Sequence, residues 1–122
     1  MAGVERFEDL EVWKLSCCLT AKIYSVARCG DFAKDFGLRS QICRAAVSIV
    51  SNIAEGFERK SDKSFQQFLS VAKGSAGEVR AQLYIAHDLG YISHEQFDDF
   101  YQDVSRIGKM LSRFIAYLNT AK

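Results

Sequence analysis

The string SHEQFDDFYQDVSRIGKMLSRFIAYL, residues 93–118, carries the clearest periodicity in the chain. Phe97, Phe100, Val104, Ile107, Leu111, Phe114 and Leu118 follow one another at alternating intervals of three and four. That spacing lines apolar side chains along one face of an α-helix, as in a coiled-coil seam, whereas a strand alternates every second residue. Ser93 and Gln96 stand in capping-box register at its start. The spacing predicts a helix over about 93–119, with a greasy row that only other helices can cover.

Upstream, a Ser61/Asp62 cap signal and Gly90 bracket a predicted helix over about 61–89. Its core stripe is Phe65, Phe68, Ala72, Ala76, Val79, Leu83 and Ala86. Ser70, Gly74, Gly77 and Ala81 form a second row, and interior glycines cost a helix about 1 kcal/mol each relative to alanine. The row therefore predicts that something packs closely there. A helix over about 38–57, after Gly37, presents Leu38, Ile42, Ala45, Ala46, Ile49, Ile53 and Phe57 as a broad apolar arc, extended by Cys43, Val47, Val50 and Ala54. What remains is a straight polar row of Gln41, Arg44, Ser48, Asn52, Glu55 and Arg59. The first helix, about 9–28, has Asp9 as its expected cap and Gly30 just beyond its end. It carries two apolar rows, Leu10, Trp13, Cys17 and Tyr24 beside Val12, Leu15, Leu19, Ile23 and Val26, and so should touch two partners. With 122 residues, no proline and short connections near 30–37, 58–61 and 90–93, the chain reads as one all-α domain over 1–122. The expected architecture is an up-down-up-down four-helix bundle.

Sixteen Lys and Arg against 15 Asp and Glu give a net charge of +1, which excludes a strong overall field toward nucleic acid or anionic lipid. The excess is local: residues 34–80 carry +3, while 1–33 and 81–122 each carry −1. No apolar run is long enough for a signal peptide or a membrane span, which points to a cytoplasmic protein. The four cysteines, Cys17, Cys18, Cys29 and Cys43, have no C-x-x-C spacing and read as reduced small apolar residues, Cys17 and Cys43 being the ones expected inside.

Catalysis needs a convergent nucleophile, base and orienting group, or metal ligands at workable spacing. The two histidines, His87 and His94, lie across a helix end and read as surface residues. No phosphate loop, dinucleotide fingerprint or zinc spacing occurs, so no enzyme, cofactor, metal or small-molecule substrate is expected. Two features remain. The polar row with Arg44, Asn52, Glu55 and Arg59 reads as a ligand- or RNA-facing strip, as a buried or subunit-facing network, or as a solvent side. Gln66, Lys73, Arg80 and His87 recur every seven residues, with Tyr84 beside them and Arg59, Lys60 and Lys63 near the preceding turn. They read as a basic face for phosphate with a ring for stacking, or as a solvated helix side.

Specific strings add to this. Phe7-Glu8-Asp9-Leu10 with Val12-Trp13, Phe36 to Ile42, Arg44 to Ile49, Ser51 to Gly56, Phe68-Leu69, and Ala72 to Ser75 with Glu78 closely resemble the four-helix bundle family of 23S ribosomal RNA intervening-sequence proteins. The likeness spans about residues 7–118. It implies a small bundle that assembles as a ring, typically a homopentamer, with no established activity. The fold is similar to the accessory variability proteins of diversity-generating retroelements, pentameric barrels that bind nucleic acid and a reverse transcriptase. One departure is that a loop commonly carrying a Phe-Pro pair reads Asp31-Phe32-Ala33, which predicts a less rigid turn.

The resemblance also groups Gln41, Arg44, Ser48, Asn52, Glu55, Gly74, Ser75 and Glu78 as one feature shared by the second and third long helices, expected at the subunit contact or on the inner surface of the ring. The expectation is thus a non-catalytic homo-oligomer that binds RNA or a ribonucleoprotein. Arg44, Asn52, Glu55, Arg59, Lys60, Lys63, Lys73, Glu78 and Arg80 are the candidate binding residues. The competing expectation is a protein-interaction scaffold that does not bind nucleic acid.

Overall fold

The computed structural model describes residues 3–120. Among them a 3-10 turn, Phe7–Asp9, precedes five helices and no strand: α1 (Glu11–Ala27), α2 (Gly30–Lys34), α3 (Phe36–Glu58), α4 (Asp62–Asp88) and α5 (His94–Thr120). The all-α reading holds, and the four long helices match the four periodic segments.

Several boundaries differ from expectation. Asp9 belongs to the 3-10 turn, and α1 starts after Leu10 without a side-chain cap. The connection at 30–37 is not a plain loop. Gly30, at φ +58°, reverses the chain after α1, and Phe32, 1% exposed, plugs α2 into the core. Asp35, rather than the Gly37 region, starts the next helix, its Oδ1 accepting from the Leu38 amide at 3.1 Å. Tyr91, from the turn after α4, stacks on Phe32 with centroids 5.1 Å apart and donates its hydroxyl to Asp35 Oδ2 at 2.8 Å. The corner expected to be loose for want of proline is thus fixed by a buried ring and two hydrogen bonds. Together these bonds, the Leu38 amide first, hold the Asp35 carboxyl below its ordinary range. The other caps stand as read: Ser61 accepts from Ser64, Ser93 and Gln96 cap each other reciprocally, and Gly90 ends α4's run at φ +77°.

α1 packs against both α3 and α5, which accounts for its two apolar rows, and α4 packs against α3 and α5. The centre is closed by Leu19 and Ile23 of α1, Ile49 and Ile53 of α3, Leu69 and Leu83 of α4, and Ile107 and Leu111 of α5, none more than 1% exposed. Ser16 is sealed among them with its hydroxyl returned to the Val12 carbonyl at 2.7 Å. Along α3 and α4 the register runs oppositely: Gln41 meets Gln82, Ser48 meets Ser75, and Gly56 meets Phe65 and Phe68. Lys22 ties α1 to α5 by reaching Asp99 at 3.0 Å and Asp103 at 2.9 Å. Val47, expected in the core arc, is 39% exposed because it lies on the outer side of α3.

Candidate functional site

α4 has two very different sides. Toward α3 the helices meet closely. Ser48 and Ser75 hydroxyls are 2.8 Å apart, and Asn52 turns its amide back onto the Ser48 carbonyl and hydroxyl at 2.8 and 3.0 Å. Gln82, buried, reaches Gln41 at 3.5 Å, long for a hydrogen bond. Arg44 and Glu78 stand exposed on the two rims of a shallow groove over this seam. Of the polar row, Ser48 meets Ser75 and Gln41 approaches Gln82 across the seam, Asn52 bonds within its own helix, and Arg44 and Glu78 form no ion pair among the described residues.

Toward α5 the helices leave an open groove of about 690 Å³. Lys73 and Arg80 of α4 face Lys109 and Arg113 of α5 across it, and no carboxylate lines it. None of these four cations makes an ion pair among the described residues. Gly77 and Gly108 lie in the lining, and a Cβ at either would meet nothing within 4 Å. Like charges gathered in one concavity repel one another and favour an anion that neutralises them.

The row expected on α4 is divided by the fold. Lys73 and Arg80 enter the groove, whereas His87 sits beyond its end, 5.0 Å from the Phe97 ring and 5.7 Å from His94. Glu55 and Arg59 pair with each other at 2.8 Å, and the Arg59 guanidinium lies 5.0 Å over the Phe68 ring. Lys60, in the left-handed region at φ +62°, shares a shallow hollow with Glu5 and Asp62 at the α3–α4 turn, and Lys63 is exposed on the next turn of chain. Neither lines the basic groove. Sequence reading missed Lys109 and Arg113. Their signal was the charge split of the last helix, where Glu95, Asp98, Asp99 and Asp103 all precede Arg106, Lys109 and Arg113.

Little in the titratable groups suggests bond chemistry. Burial pushes the Cys43 and Cys17 thiols up, so neither is primed as a thiolate. Among the described residues no three His, Cys, Asp or Glu side chains gather to hold a metal ion, and no helix is long and apolar enough to cross a membrane.

Residues 8–113 match the model of the 23S rRNA-intervening sequence protein family. The chain belongs to that family. A crystal structure from Bacteroides thetaiotaomicron VPI-5482, described as a protein with unknown function from the S23 ribosomal protein family, is similar, with a TM-score of 0.78 and 28% identity. The alignment covers 85% of this chain and 97% of that one. No curated protein matches the chain. The family likeness embraces α1, α3, α4 and most of α5, and so includes both sides of α4 described above.

Proposed function

We propose that this member of the intervening-sequence family is a non-catalytic RNA- or ribonucleoprotein-binding protein of the cytoplasm, built as an up-down-up-down four-helix bundle and assembled as a homo-oligomer. The observation that carries the reading is the α4–α5 groove, where Lys73, Arg80, Lys109 and Arg113 converge with no carboxylate in the lining. Gly77 and Gly108 support it. Each gives up about 1 kcal/mol of helix stability relative to alanine with nothing of the chain packed against it, and a missing Cβ is what admits a bulky phosphate chain.

Assembly is supported by apolar surface on other sides. Phe36 is 70% exposed and lies with Tyr24, Arg28 and Arg39 in a hollow between α1 and α3. Val71, Ile85 and Leu89 are about half exposed on the outer side of α4, where Gly74 and Ala81 leave room and Glu78 and Asp88 supply negative charge. A cationic, aromatic surface and an acidic, small-residue surface on one molecule suit head-to-tail contact, which gives a ring when the rotation between neighbours closes. The family resemblance implies five subunits. Arg44 and Glu78 to alanine are the substitutions that weaken this contact.

The test is fluorescence anisotropy of labelled RNA at about 50 and 200 mM salt, with native mass spectrometry for the subunit count. Four neutralised phosphates give a loss of roughly fiftyfold between those salts for a single strand, at a slope of about 0.7 per contact. Lys109→Gln should reduce the slope by about that amount. Absence of binding at low salt refutes the RNA reading and leaves a protein scaffold.

A further inference from the structure

The basic groove does not end in solvent. At its Arg80 end Tyr101 lines it, and Tyr101 belongs to a cluster of rings with Tyr84, Phe97 and His87. Phe97 and Tyr101 stack with centroids 5.4 Å apart and planes 25° from parallel, forming a fixed backing on α5. Tyr84, one helical turn beyond Arg80, is placed differently. It is 49% exposed, and it meets Phe97 and Tyr101 at 58° and 75°, through tilted and edge contacts. Neither neighbouring ring lies parallel on Tyr84, and about half of the side chain stays accessible beside the last cation of the groove. The contacts with Phe97 and Tyr101 orient the ring while leaving it half exposed.

We infer that the groove and this ring form one track for an unpaired RNA strand, with phosphates on Lys73, Arg80, Lys109 and Arg113 and a base stacked on Tyr84. The inference rests on the RNA reading above and narrows it to single strands. In a duplex the base faces are occupied by neighbouring bases, and only the phosphates remain for the groove. An unpaired base has a free face, and stacking on an aromatic side chain is tolerant of base identity. From Lys73 to Tyr84 the α4 axis covers about 16 Å at ~1.5 Å per residue, so the charged and stacking parts lie within one continuous run of strand.

The experiment compares labelled oligouridylate with an RNA duplex of equal length, by anisotropy, for wild type, Tyr84→Ala, Tyr84→Phe and Lys109→Gln. Tyr84→Ala should weaken oligouridylate about tenfold and leave the duplex unchanged, while Tyr84→Phe keeps wild-type affinity. Lys109→Gln should weaken both ligands alike. A Tyr84→Trp variant supplies a second readout: its fluorescence should be quenched by oligouridylate and not by the duplex. If Tyr84→Ala weakens both ligands equally, or neither, and Tyr84→Trp is not quenched, the single-strand track is wrong. The RNA reading survives that result provided Lys109→Gln still lowers both affinities. If wild type binds neither RNA at low salt, both readings fall together.

Discussion

The α3–α4 seam and the α4–α5 groove share one helix and differ in how glycine is used. At Gly56, a Cβ would stand 2.7 Å from Phe68 Cβ and 2.8 Å from the Phe65 ring, so the missing side chain is required by the neighbouring helix. At Gly77 and Gly108, nothing of the chain comes within 4 Å. The first glycine closes a seam, and the other two hold one open. The same residue type therefore marks internal packing in one place and reserved space in another, and only the geometry tells them apart.

The sharpest way to break this comparison is Gly56→Ala. The methyl group must displace Phe68 near its backbone, and overpacking of that kind costs about 1–3 kcal/mol. Thermal or urea denaturation reads it; an unchanged midpoint would mean that the seam is looser than the distances indicate. Gly77→Ala and Gly108→Ala should move stability the other way, each gaining up to about 1 kcal/mol because alanine favours the helix and meets no obstacle. A loss of stability at either would show that the groove is not open. The smallest effect concerns the corner where Tyr91 bonds Asp35. Because hydrogen bonds from the Leu38 amide and Tyr91 hold Asp35 below its ordinary value, its contribution is present above the unfolded pKa and is lost as pH falls through the lower folded value. Acid unfolding followed by circular dichroism should therefore show a shallower dependence below about pH 4 in Asp35→Asn than in wild type. Identical profiles would mean that the Asp35 corner does not couple to the stability of the bundle.

Much of the fold is written in local pattern. The three-four spacing from Phe97 to Leu118, the Ser61 and Ser93 caps and Gly90 mark α4 and α5 within a residue or two, because period and cap chemistry are properties of neighbouring residues. α2 was not legible, since five residues are too short to display a period and its anchor, Tyr91, is 56 residues from its cap partner Asp35. The outward position of Val47 depends on where α3 turns its polar row, which an apolar count along the helix does not give. The basic groove was half visible. Lys73 and Arg80 stand out on α4, but their partners Lys109 and Arg113 appear only once the register of α4 against α5 is known. The polar row was legible as a row, while its engagement with Ser75 and Gln82 follows from the α3–α4 register.

α4 is packed on one side through the contact at Gly56, and α5 is held by its buried seam and by Lys22, so both walls of the groove are anchored in the bundle. Its charges do not share that stiffness. Lys73, Arg80, Lys109 and Arg113 sit on long side chains with roughly 2 kcal/mol of rotamer freedom each, and none is anchored by a carboxylate in the groove. If the proposed RNA enters this open groove, such cations would follow the rhythm of negative charge along the strand and be indifferent to the letters that rhythm carries.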